Sequence, residues 1–496
     1  MSAALAAARK NLNVAIFEEK EFLGGQLIKQ THKFFGSKDE SAGIRGIYIA
    51  KNLINEIEKT ENIDLYLNSM VMGYYEDGVI TALVNNKMEK FIPKKVIIAT
   101  GAFEKSIPFE NDDLPGVFGA GAVQTLMNVY GILPGKDVLM IGSGNIGLIV
   151  SYQLAQARAN VKGIVEISDH IGGYLVHASK VRRLGIPIYT QHTIVKALGK
   201  NKVEGAIIEN IQTHEKKEIS CDVICLATGL MPLSDILNQI NCEMKYIPEL
   251  GGFVPIRDEN LKTTVENVFV AGDVAGIEEA TAAMLEGELT GLYAAYEITG
   301  KFDKRINTIK ERLKDLRKTS SKVVNGLKKL NLYEDFIVEP HESLGDLHKT
   351  GIPEEEKIEN LLSSKKERFA ILECFQKIPC NPCVSSCPTN AIKMDGLNEI
   401  PKLDYDKCIG CGNCVAVCPG LAIFVIDKKK ESVILPYEFY PLPEKGEFVE
   451  ILDREGNLLE RNQVLSIRKM KDKTNLIEVK VSKENLKHSR HIRVVR

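Results

Sequence analysis

The segment KDVLMIGSGNIGLIVSYQLAQARANVKGIVE constrains the fold more than any other part of the chain. It reads as a hydrophobic strand at 137–141, glycines at 142, 144 and 147, a helix, a second strand and then Glu166. The acid stands nineteen positions after the last glycine, close to the ~20 of a Rossmann βαβ unit that holds a dinucleotide. Gly142 suits a tight turn, Gly144 a close approach of backbone to pyrophosphate, and Gly147 close packing of helix on strand. Ser143, Asn145 and Ile146 complete that loop, whose helix N-terminus offers free N–H groups and a partial positive charge. Glu166 is placed to accept hydrogen bonds from a ribose 2′-hydroxyl and to repel a 2′-phosphate, favouring NAD(H) over NADP(H). An accidental glycine-rich turn would not bring both strands, the helix and the acid into register.

Part of this unit occurs twice. VAIFEEKEFLGGQ and KGIVEISDHIGGY each end a strand in glutamate, run five residues and reach Gly-Gly: Glu18 to Gly24-Gly25, and Glu166 to Gly172-Gly173. Laid on the second copy, the first begins just after the place of its third glycine. The expectation is that the bases upstream of Met1 encode an apolar strand and a GxGxxG loop. Without them the unit exposes a sheet edge and lacks phosphate-binding amides. Further paired signals follow: strand-to-turn junctions at Ala99-Thr100-Gly101 and Ala227-Thr228-Gly229, then Gly272-Asp273 before an apolar helix.

Eight of the eleven cysteines fall between Cys374 and Cys418. Such crowding in a large chain points to metal or redox chemistry rather than disulfides. Cys408, Cys411, Cys414 and Cys418-Pro419 form the C-x2-C-x2-C-x3-C-P run of bacterial ferredoxins, in which the fourth cysteine serves the other cluster. The preceding run keeps Cys380, Cys383 and Cys387-Pro388, but its leading cysteine is displaced to Cys374, with Lys377 in the usual ligand's place. The reading is two 4Fe-4S clusters, one on Cys374, Cys380, Cys383 and Cys418, the other on Cys387, Cys408, Cys411 and Cys414. If Cys374 is not a ligand, the first cluster could be a three-iron form. Zinc is the competing reading; two runs that each end in Cys-Pro before an apolar strand argue against it. Cys221, Cys225 and Cys242 read as core fillers, and His32 as a structural histidine.

The net charge of −2 gives no reason to expect nucleic acid or an anionic membrane as partner. No apolar stretch approaches the ~18–20 residues of a membrane span, and no basic leader marks a signal peptide. A soluble, cytoplasmic redox protein is expected.

Two E-x5-GG units, two ATG turns and a closing Gly-Asp, in this order, make roughly the first 300 residues resemble the FAD-dependent pyridine nucleotide oxidoreductases. In that family an NAD domain is inserted into an FAD domain. The resemblance implies that Glu18 holds the FAD ribose, that Gly24, Gly25 and Gln26 line the flavin, and that Val71 meets the adenine through its backbone. It further implies cofactor contacts at the turns Ala99, Thr100, Gly101 and Gly229, a role for Gly272 and Asp273 at the ribityl or pyrophosphate, and a helix from Ala280 aimed at the flavin's pyrimidine end. RRLGIPIYTQHTIVKALGKNKVEG and FLGGQLIKQTHKFFGS are similar to α subunits of sarcosine, opine and proline-type amino-acid dehydrogenases and oxidases. The loop GGQLIKQTHKFFGS has no cysteine, so disulfide reduction is not expected.

The expected architecture is α/β. It comprises a Rossmann-like FAD domain (1–130 and 246–302) with an inserted Rossmann-like NAD domain (131–245) and a helical linker (303–368). A bacterial-ferredoxin-like α+β module (369–430) and a small β domain (431–496) follow. Ile306, Ile309, Leu313 and Leu316 mark an amphipathic helix in the linker, and VEPHESLGDLHKTGIPEEE reads as a connecting stretch. The expected function is hydride exchange between NAD(H) and FAD with single electrons passing through the two clusters. The partner would be an amino-acid-oxidising flavoprotein or a ferredoxin-like acceptor. The alternatives are a stand-alone NADH:acceptor reductase and a non-catalytic electron relay.

Overall fold

The computed structural model describes residues 1–338, 344–362 and 364–495, and these group into two compact units. The first comprises Met1–Ile28, Gly46–Glu104 and Gly229–Pro340. Its core is the helix Ala280–Thr299, whose long apolar run supports twenty residues ended by Gly300 in the left-handed region, φ +70°. The alanine-rich helix Ser2–Ala8 lies close against it. Gly291 permits this, since a Cβ there would sit 2.3 Å from the Ala3 carbonyl oxygen. Strand Val14–Phe17 pairs in parallel with Ile63–Tyr66, and Val96–Ile98 with Val268–Val270. Among the described residues these stay two separate pairs rather than one sheet. A three-stranded antiparallel sheet, Met70–Tyr74, Ile80–Val84 and Lys87–Phe91, flanks them in sequence. The amphipathic helix forms as Arg305–Arg317, and Ile306, Ile309 and Leu313 bury against the core of this unit.

The second unit comprises Lys29–Arg45, Lys105–Thr228 and His341–Arg496. Its parallel five-stranded sheet runs in the order Ile188–Tyr189, Asn160–Val165, Asp137–Ile141, Val223–Leu226, Val117–Gly119. Such strands are buried on both faces and need unbroken apolar runs, which VLMI and VICL supply. Cys221 and Cys225 are buried here, as core fillers should be, and Cys242 is buried in the first unit.

The strands that flank the cysteine segment and the C-terminal strands do not make separate sheets, although Ile392–Lys393 and Lys402–Leu403 form a small pair of their own. Arg368–Leu372 and Ile423–Asp427 lead into Ser432–Tyr437, Asn475–Lys480, Leu458–Arg468, Phe448–Leu452 and His491–Arg493 as one antiparallel sheet of seven strands. One apolar core serves both, reaching from Phe369 to Ile492. Of the connecting stretch VEPHESLGDLHKTGIPEEE, residues 339–343 lie outside the described residues. The rest includes the short helix Leu347–Thr350, whose Leu347 is buried in the second unit's core.

Candidate functional site

In the second unit the strand Asp137–Ile141 delivers the glycine loop. Gly142 has φ +104°, and a Cβ there would lie 2.4 Å from the Ala227 carbonyl oxygen. A Cβ on Gly147 would lie 2.0 Å from the Gly142 carbonyl oxygen, so both glycines are required by close backbone approach. Around Gly144 the space for a Cβ is open, leaving the backbone accessible at the N-terminus of the helix Asn145–Gln156. Glu166 folds back onto this loop: its Oε2 accepts from the Ser143 amide at 2.9 Å and the Ser143 hydroxyl at 2.7 Å. Its Oε1 accepts from the Ser168 amide at 3.0 Å. The Gly-Gly that follows closes the ring, with the Gly173 amide donating to the Ser143 carbonyl at 2.9 Å. An accessible loop backbone with a carboxylate fixed beside it fits a dinucleotide.

In the first unit Glu18 follows the strand Val14–Phe17 and accepts from the Lys20 amide at 3.1 Å. Gly24 (φ +123°) and Gly25 (φ +51°) turn the chain into the 3-10 segment Gly25–Lys29 that contains Gln26. Val71 lies at a bulge in its strand. Ala99-Thr100-Gly101 and Gly272-Asp273 follow the parallel partners Val96–Ile98 and Val268–Val270, so both turns lie at the carboxyl ends of one strand pair, where such folds bind ligands. Thr100 Oγ1 donates to the Leu233 carbonyl at 2.6 Å, and Gly229 turns at φ +123°. Burial is the main force that pushes the Asp273 carboxyl up to about 6, helped by Glu286 and Glu278 against a backbone hydrogen bond. Ala280 begins the long helix. Open space at Gly25 and Gly101 and a buried carboxyl at Asp273 suit an extended polar cofactor.

Seven of the eight clustered cysteines fall into two places within the second unit. Cys374, Cys380 and Cys418 pack together with Phe35, Tyr174 and Val176. Cys383 shares an apolar core with Cys408 and Cys414, while its charge also acts on Cys374 and Cys380; Cys374, Cys380, Cys383 and Cys418 are each raised first by burial, and the first three also by the charges of neighbouring cysteines. Cys387, Cys408, Cys411 and Cys414 line a separate cavity. The two Cys-Pro thiols make matching contacts: Cys387 Sγ accepts from the Ala391 amide at 3.2 Å, and Cys418 Sγ from the Ala422 amide at 3.4 Å. Amide donors of this kind stabilise a thiolate. Among the described residues no three His, Cys, Asp or Glu side chains converge as ligands of one ion would. Thiolates that cap different irons of one cluster surround a volume instead.

The sequence reading missed what encloses the first group. The loop 29–45 docks on it: the Asn381 amide donates to the Gly36 carbonyl at 3.0 Å, beside the bridge that pairs Gly36 with Cys380. Lys33, 2% exposed, donates to the Ala416 carbonyl and pairs with Asp472 at 2.6 Å. His32 and His177 stand nearby; among the described residues His32 Nδ1 and both ring nitrogens of His177 lack hydrogen-bond partners. Two adjacent phenylalanines in an otherwise polar loop were the one available signal. Also missed was Glu373, next to Cys374. Burial would raise its carboxyl, but Arg490 and Arg454 hold it at about 2.

Residues 1–287 match the family model of the pyridine nucleotide-disulphide oxidoreductases, and residues 378–422 that of the 4Fe-4S dicluster domain. The chain belongs to the pyridine nucleotide-disulphide oxidoreductase family. It is thus a FAD-type oxidoreductase domain joined to an iron–sulfur domain. This oxidoreductase is similar to one of the opine oxidase subunits of Rhizobium meliloti (strain 1021), 29% identical over 58% of this chain and 66% of that one. It is also similar to the α subunit of sarcosine oxidase from Corynebacterium sp. (strain P-1), 23% identical over 60% of this chain and 31% of that one. The oxidoreductase therefore spans less than two thirds of these relatives' own length. Its fold is similar to that of L-proline dehydrogenase from P. horikoshii, with TM-score 0.50 and 23% identity over 63% of this chain and 55% of that one. Thioredoxin reductase of T. acidophilum gives TM-score 0.50 and 21% identity over 60% of this chain and 95% of that one. Among the described residues no helix is long and apolar enough to cross a membrane.

Proposed function

We propose that this oxidoreductase exchanges hydride between NAD(H) and FAD, passes electrons singly through two 4Fe-4S clusters, and works as one component of an amino-acid dehydrogenase-type complex. The supporting observation is the presence, in one chain, of a Glu166-bearing glycine loop and of two places where thiols gather, Cys374, Cys380 and Cys418 in one and Cys387, Cys408, Cys411 and Cys414 in the other. When bound, FAD takes up or releases an electron pair as hydride and exchanges electrons singly, while each cluster carries one. The chain's own residues position these groups. Gly142, Ser143, Gly144, Asn145, Ile146 and Gly147 would receive the pyrophosphate of NAD(H), and Glu166 its ribose. Glu18, Gly24, Gly25, Gln26, Val71, Ala99, Thr100, Gly101, Gly229, Gly272, Asp273 and Ala280 would hold FAD. Cys374, Cys380, Cys383 and Cys418 would seat one cluster, and Cys387, Cys408, Cys411 and Cys414 the other.

Disulfide reduction is not the reading, despite the family's name. Cys221, raised to about 12 mainly by burial, is no thiolate nucleophile, and the loop Gly24–Gly36 contains no cysteine. The relatives named as oxidase subunits support a second polypeptide that oxidises the amino acid. The deciding experiment is anaerobic purification of the protein with its genomic neighbours. A second flavoprotein that copurifies and confers amino-acid-dependent dye reduction supports the complex. Full NADH-dependent dye reduction by the isolated chain, with no companion, favours the stand-alone reductase.

A further inference from the structure

In the second unit the helix Leu175–Arg182 lies on the turn that follows Cys418. A Cβ on Gly420 would sit 2.7 Å from Val176 Cβ, and Val176 packs with Cys374, Cys380 and Cys418. The helix carries Lys180, and Arg183 ends it; the two are 4% and 6% exposed. Arg183 Nη1 donates to the Leu421 carbonyl at 2.8 Å and its Nε to the Ser179 carbonyl at 3.2 Å. Lys180 Nζ stands 4.2 Å from the centre of the Tyr152 ring. The carboxylates that act on these cations are Glu438 for Lys180 and Glu373 for Arg183. Both acids are committed to others: Glu438 pairs with Arg45 at 2.7 Å, and Glu373 with Arg454 at 2.6 Å and Arg490 at 2.7 Å. Lys33 has its own acid in Asp472. Two buried cations beside Cys418 are thus in excess of the acids around them.

A buried cation is costly without a counter-charge. Burial pushes the Lys180 ammonium down to about 8, against the charges of Glu438 and Cys418, so it stays charged at neutral pH. Burial lowers Arg183 too, again with Cys418 among the groups that oppose it. A 4Fe-4S cluster held by four thiolates is anionic, and reduction adds one more negative charge. Burial opposes that charge, whereas a fixed cation nearby favours it. We propose that Lys180 and Arg183 are positioning residues of the electron path, fixed counter-cations that raise the reduction potential of the cluster at Cys374, Cys380, Cys383 and Cys418 and act much less on the other. This rests on the function proposed above, which seats a cluster there. The second group has no matching pair. Arg368, whose Nε donates to the Gly410 carbonyl at 3.1 Å, pairs with Asp427 at 3.1 Å. Arg468, which donates to the Cys411 carbonyl at 2.8 Å, is exposed, and water and salt screen its charge.

Anaerobic redox titration of the full chain at neutral pH, followed by low-temperature paramagnetic resonance, tests this. The first cluster's signal is assigned in Cys411→Ser protein, which disables the second seat. Lys180→Met should lower the first cluster's midpoint by at least about 28 mV, threefold in the one-electron equilibrium, and by at least twice the shift of the second. Lys180→Arg keeps the charge and should lower it by less than that margin. If Lys180→Met does not fold, Lys180→Gln is read in the same way. A merely structural lysine would change the melting temperature or the iron content and leave the midpoint in place. A smaller lowering, a shift shared equally by both clusters, or the same lowering in Lys180→Arg overturns the inference. Wild-type protein that holds no iron at the first seat overturns the proposed function and this inference with it. Two clusters with unmoved midpoints overturn this inference alone.

Discussion

The two thiol groups have nearly the same sequence pattern and quite different surroundings. In the group proposed to hold the first cluster, Cys374, Cys380 and Cys418 are enclosed by parts of the chain remote in sequence, Phe35 from one loop and Tyr174 and Val176 from the start of the helix Leu175–Arg182. The group of Cys387, Cys408, Cys411 and Cys414 is lined by its own segment and its strand neighbours, next to Ile409, which is 57% exposed. Spacing thus determines which thiols can share a cluster, whereas tertiary packing determines how well each group is shielded from water. Under the proposed function, the first group is the insulated seat and the second the one nearer to an outside acceptor.

The largest expected effect separates the groups directly. Cys380→Ser and Cys411→Ser should each remove about four irons per chain, and each should leave a different residual paramagnetic signal after dithionite reduction. Cys374→Ala sharpens this: loss of about one iron or more from the first group is expected, and full iron content would remove Cys374 from the ligand set. Next in size, Lys33→Met should destabilise the second unit by ~2 kcal/mol, because it leaves the Ala416 carbonyl and Asp472 without their buried cation. Asp472 is one third exposed, and solvent screening there limits the loss. Denaturant midpoints measure it. Phe35→Ala should cost about as much or less, since Phe35 is half-buried, and should speed loss of the first cluster in air while sparing the second. Equal loss of both would break the contrast between the seats.

The smallest effect, over the first pH unit below the ordinary histidine range, is a pH dependence that His32 adds on the first group's side. Burial, reinforced by the charges of Lys180 and Arg45, pushes His32 down to about 3. The fold therefore keeps this ring neutral. As pH falls below the ordinary value near 6.5, the unfolded chain takes up a proton that the folded chain refuses. Stability should drop by ~1.4 kcal/mol per pH unit from this histidine, with no contribution above that range. His32→Gln should lessen the slope measured between those limits, leaving the part that the buried His177 and His491 contribute. Among the described residues no histidine lines the cavity of the second group, so its variants should leave the slope unchanged.

Much of this was legible in the sequence because it is local. The βαβ unit from Asp137 to Glu166 is written in consecutive residues, and so are the thiol spacings. The helix Arg305–Arg317 announced its buried face through Ile306, Ile309 and Leu313. What stayed hidden depends on residues far apart. Nothing in QTHKFFGS states that Gly36 will bond beside Cys380, or that Lys33 will find Asp472 more than four hundred positions away. The shared seven-stranded sheet was hidden for the same reason, since alternation marks a strand but not its neighbours. Glu373 between Arg454 and Arg490 is a pairing that only the closed sheet creates.

The central claim is that paired electrons from NADH leave one at a time through two thiolate-held clusters. An anaerobic NADH titration of the purified protein, followed by visible absorbance and low-temperature paramagnetic resonance together, tests it most directly. The account predicts flavin bleaching accompanied by reduced-cluster signals, with Glu166→Ala shifting the curve to at least about tenfold higher NADH. Cluster signals that appear with dithionite but never with NADH, or a protein that binds no flavin, would contradict it.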